Sequence, residues 1–546
     1  VTAPLRRRAL LGASAGAAFG ILGAGCRDAP PAGWSAHWVG SSPLRGHRLR
    51  EARSGTLPTA AVQRRARVLI VGAGIAGLSA ARACLRQGVD DIRVLELEDS
   101  AGGNSRGHTL AGLACPLGAH YLPLPGPAAH EVAEWLHELG LLRHELGRTV
   151  ADERHLCHSP QERLFIDGAW IEGLLPPAEA GSATLAQYRT FAAAIAQAQR
   201  SVGFALPSHR AGWTAAHQAL DAGTFAHWLD ARGLRDERLR WYLDYACLDD
   251  YGAPADTVSA WAGLHYFASR HGFQAPGDAD GERDPVFTWP EGNAWLATRL
   301  AAPLGDRLLP GRTVLQVDEG RHGVHVLAWD EAAGHAEAWQ ADTVVLAVPL
   351  FVAARLMRQV PAALEALVPA QPHAPWLVAN LHVTEPLLQR QGMPPAWDNV
   401  VYGRHELGYV DAMHQSLRPV PGPTVLTAYH AMTASDRPAL LAGEAADWAR
   451  RVVDGLTPLH PDLPGKLARV DLTRHGHAMS IPVPGLRGHP ALAALRAGRG
   501  RVRFAHADLA GYSVFEEAFT LGAEVAGFGS STTPRPWPAA SSSRRG

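Results

Sequence analysis

The sequence predicts an α/β protein, in which a parallel, dinucleotide-binding sheet flanked by helices is interleaved with an α+β substrate region. Three observations point there. A β-rich run at Val68–Val71 enters a G-x-G-x-x-G spacing and then a helix; helical patterns dominate 121–284; and short β-branched runs return at 285–350 and again at 491–529. With 546 residues the chain has room for more than one domain. Its 51 Lys and Arg against 52 Asp and Glu leave a net charge of −1 without a basic stripe, so nucleic acid is not an expected partner.

In order along the chain, residues 1–26 read as an address rather than as fold. Arg6-Arg7-Arg8 followed by an apolar, Ala/Gly-rich run to Gly25 resembles a twin-arginine export signal. That resemblance implies passage through the twin-arginine translocase to the periplasm or another extracytoplasmic space. The apolar run is short for a stable span, and Cys26, at the end of a weak lipobox, is a candidate membrane tether. Residues 27–64, rich in Pro, Gly, Ser and Arg, are expected to form an extended linker. The Ser/Thr/Pro/Arg tail, 530–546, is expected to be disordered.

Residues 65–120 open the nucleotide-binding domain. Gly72 permits a tight turn after the strand, Gly74 lets backbone approach a pyrophosphate, and Gly77 lets helix and strand pack closely. The helix beginning at Ile75 and Ala76 offers free N–H groups and a positive dipole end to phosphates. A second strand, Ile92–Leu97, carries Glu96 where a carboxylate accepts hydrogen bonds from ribose hydroxyls. That acid also disfavours a 2′-phosphate, and hence NADP. These features specify a dinucleotide without naming it.

The helical patterns at Ala128–His144, Ala183–Val202 and Trp213–Tyr251 fall in a substrate domain spanning 121–284 and 351–490, whose second part alternates like a strand at Leu377–Val383. The nucleotide domain resumes with strands at Leu308–Val317, Val324–Trp329 and Asp342–Pro349. It closes with a strand, an acid and a helix over Arg501–Gly522.

The stretch Glu96–Asn104, with its glycine pair Gly102-Gly103, resembles the E-x-x-x-x-x-G-G-R segment of the FAD-dependent amine oxidase superfamily, which includes protoporphyrinogen oxidases and phytoene desaturases. The resemblance covers about residues 66 to 528, strongest at the two ends. It implies a Rossmann-like, NAD(P)-binding-like domain built from 65–120, 285–350 and 491–529, with FAD as cofactor. By the same resemblance Gly102 and Gly103 approach the pyrophosphate, and Gly118 and Ala119 line the flavin's front face. Val314 places its backbone near adenine, Ala347 lies close to the cofactor, and Asp508 bonds a ribityl or pyrophosphate oxygen. The helix that starts at Val514 aims its positive end at the isoalloxazine. Two departures stand out. The family's arginine after the glycine pair is Asn104 here, with Arg106 its expected substitute. The family's lysine near flavin N5 has no counterpart, since Lys466 is the sole lysine, and Trp376 or Leu377 stands roughly in its place.

The chemistry implied is oxidation of a small organic substrate, an amine or a related C–N or C–C bond, by hydride transfer to flavin, with oxygen or a quinone as electron acceptor. His120 is the candidate general base. Trp376 and Tyr512 are the other catalytic candidates, Tyr512 as an aromatic wall. The missing lysine keeps two alternatives open, a quinone-linked dehydrogenase or desaturase and a non-catalytic flavin-binding protein; an NAD-dependent dehydrogenase is a further one. The five cysteines include no C-x-x-C pair and the 27 histidines show no ligand spacing, so no metal site is expected.

Overall fold

The computed structural model describes residues 33–526 apart from 279–284, 417, 419 and 499. The expected export signal, Cys26 and the C-terminal tail lie outside the described residues.

Two sheets organise the molecule. In the nucleotide sheet, the first long strand, Ala60–Val71, pairs in parallel with Ile92–Leu95 on one side and with His335–Leu346 on the other. The short strand Val502–Phe504 adds in parallel to Val344–Leu346, and the meander Arg312–Glu319, Val324–Asp330 completes an antiparallel flank. Segments more than 400 residues apart thus share one sheet. The other sheet is mixed and mostly antiparallel. At its centre His373–Val383 lies between Thr424–Ala431 and Leu467–Ser480, and its far edge is the hairpin Glu162–Ile166, Ala169–Glu172.

The stretch 27–64, expected as a linker, is structured from Ser35 onward. Ser35–Trp38 pairs in parallel with Arg469–Leu472 at the edge of the substrate sheet, and its alternation lets Ala36 and Trp38 pack on that sheet's apolar face. A helix, α1 (Pro43–Ser54), follows, with Pro43 in its first turn, where a missing N–H costs nothing. The first nucleotide strand begins at Ala60, inside the stretch read as a linker. Composition alone conceals these elements because the strand is four residues long and α1 is rich in Arg with few apolar residues.

Past that strand runs α2 (Ile75–Arg86), in which every residue from Ile75 to Cys84 is buried. The helical reading of the middle is broken into shorter pieces. His130–Glu138 ends at Gly140, with φ +74, and a hairpin, Leu142–Glu145 with Arg148–Ala151, takes the rest. Trp213–Tyr251 splits into Ala215–Asp221, Phe225–Asp230 and α3 (Glu237–Tyr251). Thr224 and Asp236 cap the last two by accepting from the amides of His227 and Leu239. The closing helix, α4 (Phe515–Val525), lies along α2: Ser79 Oγ donates to Phe519 O at 2.7 Å, and Trp135 stacks on Phe519 at 5.2 Å. No helix among the described residues is long and apolar enough to cross a membrane.

Candidate active site

Between the sheets lies a cavity of about 660 Å³. Its nucleotide wall grows from the glycine turn. A Cβ at Gly77 would sit 1.9 Å from Gly72 O, so only glycine lets α2 close onto the strand end. The amide of Gly102 donates to Ala73 O at 2.8 Å, and with φ +127 at Gly102 and +57 at Gly103 the second loop folds against the first. A Cβ on Gly74 would lie 3.9 Å from Gly103 Cα, so two bare backbones face one another across a narrow cradle beside the start of α2. Glu96 borders it, accepting from the amides of Ala73 (2.7 Å) and Glu98 (2.9 Å). Burial pushes its carboxyl upward, against the pull of those two amides.

At the other end Asp508 is fully buried. Its Oδ2 accepts from the Leu350 amide at 2.9 Å and meets His373 Nε2 at 3.1 Å. Burial alone would raise this carboxyl, but His506 and His373 outweigh it and hold it well below the usual range. Val514 caps α4 with no side-chain hydrogen bond, so the α4 N-terminus opens into the cavity beside Val514 and Phe515. Bare glycine backbone, two helix N-termini and two buried carboxylates form a donor set that suits a dinucleotide: amides for phosphates, carboxylates for sugar hydroxyls.

The remaining wall is aromatic. His120 stacks on Tyr429 at 4.4 Å and leans on Trp397 at 5.4 Å, while Trp376 meets Tyr429 edge-on at 6.4 Å. Beside them the Tyr121 hydroxyl donates to Asp249 Oδ2 at 3.2 Å, near the C-terminal end of α3. Burial first, and the neighbouring Asp250, push Asp249 up to about 7, opposed by the Tyr121 hydrogen bond and by Arg270. Arg270 itself is committed to Asp250 at 3.1 Å. Glu516 at the start of α4 is likewise pushed up to about 7 by burial, with Arg270 opposing.

The structure brings Gly72, Gly74, Ile75, Ala76, Glu96, Gly102, Gly103, Gly118, Ala119, His120, Val314, Ala347, Trp376, Asp508 and Val514 to this one cavity. Three expectations need correction. Arg106 does not line it: its guanidinium turns away to Gly40 O at 2.6 Å and Gly103 O at 3.2 Å, tying down the glycine-pair loop from behind. Tyr512 is fully buried behind the wall, where it donates to Glu517 at 2.7 Å and packs edge-on against Tyr251. His120 is in place, but burial pushes its imidazole down to about 3 against a hydrogen bond with the Gly118 backbone, which disfavours the expected proton-accepting role. Gly77 lies behind the cradle, in its packing role. The sequence reading missed Tyr121, Asp249 and Tyr429; the adjacent acids Asp249-Asp250 at the end of a helical pattern were the available signal for one of them.

Among the described residues one group, Asp330, His335 and Glu337, has ligand atoms close enough for a metal. Arg312 pairs with Asp330 at 2.6 Å and Arg64 with Glu337 at 2.7 Å, so these carboxylates already have counter-charges. Cys84, Cys115, Cys157 and Cys247 are free thiols.

Residues 75–527 match the family of flavin-containing amine oxidoreductases. A Mycobacterium tuberculosis protein named as a flavin-containing monoamine oxidase, AofH, is 29% identical over 290 residues, covering 52% of this chain and 56% of that protein. The chain thus spans about half the length of the curated relatives it matches. Putrescine oxidase bound to putrescine superposes with a TM-score of 0.62 at 20% identity, over 85% of this chain and 98% of that one. Cyclohexylamine oxidase from Brevibacterium oxydans gives 0.62 at 20% identity, over 84% and 98%. A CLA-producing fatty acid isomerase from P. acnes gives 0.58 at 16% identity, over 84% and 97%, so the architecture alone does not select a substrate. The family match spans most of the sequence, from the first residue of α2 to the end of α4: this chain belongs to the flavin-containing amine oxidoreductases, and its cofactor is FAD.

Proposed function

We propose that the protein is an FAD-dependent oxidoreductase acting on a cationic amine. The observation that carries this is Asp249, a carboxylate bordering an aromatic-walled cavity continuous with the dinucleotide cradle. An ammonium group entering there meets a carboxylate and the aromatic rings of Tyr121 and Tyr429, groups that attract a desolvated cation. FAD, when bound, supplies the hydride acceptor. Asp249 holds the substrate nitrogen and offers an oxygen to the ammonium proton, so that the amine faces the cofactor neutral. Tyr121 fixes that carboxylate through its hydroxyl. His120, kept uncharged by burial, and Trp376 exclude water and shape the pocket.

The test is anaerobic mixing of the yellow holoprotein with a panel of amines and uncharged analogues. Bleaching of the flavin by amines only is the expected result; bleaching by uncharged substrates alone defeats the proposal. Trp376 roughly at the position of the family's lysine favours a second reading, in which a quinone rather than oxygen takes the electrons. Peroxide released in stoichiometric amount during aerobic turnover excludes that variant. Arg6-Arg7-Arg8 and the apolar run behind it support export through the twin-arginine translocase, which fusion of residues 1–33 to a reporter would check.

A further inference from the structure

Helix α1 contains Arg45, Arg48, Arg50 and Arg53 against a single acid, Glu51, and among its apolar residues Leu44 is 80% exposed. Little hydrophobic burial holds it, yet it is docked at several points. The Ser42 amide donates to both oxygens of Glu98 (2.9 and 3.2 Å), and Arg45 donates to Leu97 O (3.0 Å) and Asp99 (2.7 Å). Those partners directly follow Glu96, at the end of the second nucleotide strand. Behind α1, Ser35–Trp38 is stitched to the substrate sheet, and Ser41 Oγ donates to Arg474 O at 3.0 Å. The segment therefore bridges the two halves of the protein along the rim of the cavity, and Ser41, Ser42, His47 and Arg50 line that rim.

The cavity has to neutralise a diphosphate. The glycine-pair loop offers Asn104, whose side chain is spent on Ala478 O at 2.7 Å, and Arg106 faces the other way. Other cavity arginines are engaged: Arg270 with Asp250, Arg312 with Asp330, Arg355 over the Phe351 ring at 5.5 Å, and Arg474 with Leu441 O and the Trp38 ring. Arg50 lines the same cavity, and no hydrogen bond or ion pair of its guanidinium occurs among the described residues. It lies near enough to His477, another lining residue, to help lower that imidazole, which burial first, then Arg437, His373 and Arg355 push down to about 4.

We infer that α1 is a cofactor-binding element, in which Ser41–Arg50 closes the rim of the dinucleotide cavity and Arg50 supplies the cation that the glycine-pair loop lacks. Arginine suits the task, since its planar fork matches phosphate oxygens and stays charged at every working pH. Because Arg50 is exposed in the cofactor-free protein, the gain is modest and salt-dependent. Ordering a charged N-terminal segment against a cavity costs backbone entropy at each residue, which a bound anion offsets.

The inference rests on FAD as the cofactor and not on the amine reading, so a protein inert to every amine still tests it. Cofactor-stripped wild type, Arg50→Lys and Arg50→Glu are titrated with FAD by fluorescence at about 20 mM and about 300 mM salt, conditions that bracket strong and weak screening. Arg50→Glu is expected to weaken FAD binding about tenfold at low salt and less at high salt, with Arg50→Lys within about threefold of wild type. Hydrogen exchange on the wild type, which needs no variant to fold, should show amides of 43–54 slowed on FAD binding at least about tenfold. Equal FAD affinity in Arg50→Glu and wild type, or unchanged exchange in 43–54, overturns the proposal.

Discussion

Asp249, partly buried, and Asp508, fully buried, border the same cavity, and their surroundings drive their carboxyls in opposite directions. Asp249 lies above its ordinary value, at about 7, so the fold favours its protonated form. Its contribution to stability is full below about pH 4 and is lost as pH rises through 7. Asp249→Asn should therefore stabilise the cofactor-free protein at pH 8, by up to about 4 kcal/mol before relaxation, and hardly at all at pH 4, measured by urea unfolding. The same variant should weaken binding of the substrate amine at least about tenfold, since it removes a charge-assisted contact. A stabilised variant with unchanged amine affinity would separate the two effects and defeat the substrate role. Asp508 is held low by His506 and His373, so its stabilisation is present at neutral pH and lost on acidification below the ordinary carboxylate range. Asp508→Asn should cost roughly 1.5–3 kcal/mol at pH 7 and release FAD more readily, because the Leu350 amide loses a charged acceptor. His120 behaves differently again. With its imidazole near 3 it is neutral across the working range, so His120→Gln should leave the position of the pH–rate profile unmoved even if the rate falls.

At the level of elements, the packing of α2 against α4 sets the cradle. A Cβ at Gly522 would lie 2.1 Å from Ala76 O, so Gly522→Ala forces the closing helix away from the first turn of α2. Overpacking of this kind costs about 1–3 kcal/mol or more. The expected outcome is a lower Tm together with weaker FAD retention, whereas Gly485→Ala, at a turn with nothing within 4 Å of its added Cβ, should keep the cofactor and pay only the backbone strain of φ +81. Which elements could be seen from sequence follows from how local their causes are. Gly72, Gly74 and Gly77, the strand before them and Glu96 lie within one βαβ unit, and their spacing is a local record of a local geometry. Ser35–Trp38 becomes a strand only because Arg469–Leu472 lies beside it, and four residues carry no periodicity to betray that. The helical reading at Trp213–Tyr251 holds, but as three helices rather than one run, because the caps at Thr224 and Asp236 divide it. Asp249 acquires meaning only from Tyr121, 128 positions earlier, a pairing no spacing rule records.

On the scale of the whole molecule, the cavity belongs to no single segment: its walls come from α1, the glycine cradle, Gly118–Tyr121, the end of α3, Ala347, Trp376, Tyr429 and the start of α4. A ligand bound there stabilises every contributing element at once, because each must be in place for the others to make contact. FAD should therefore act as a global stabiliser rather than a local one. For a cofactor that binds only the folded chain, saturation at about 100 times its Kd adds about 2.7 kcal/mol, and each further tenfold adds about 1.4 kcal/mol. In a chain of this size that shift is a few degrees in Tm. Scanning calorimetry of the stripped protein against graded FAD should show one transition that moves upward logarithmically with FAD. The nucleotide and substrate sheets should melt together in the holoprotein, because Ser35–Trp38 and α1 join one sheet to the other along the rim of the cavity. Removing FAD leaves that bridge resting on its contacts with Leu97, Glu98, Asp99, Glu331 and Arg474 and on the strand pairing, and limited proteolysis should then cut first between residues 38 and 60. Cleavage at equal rates in the stripped and loaded protein would mean that the bridge is set by the two sheets and owes nothing to the cofactor.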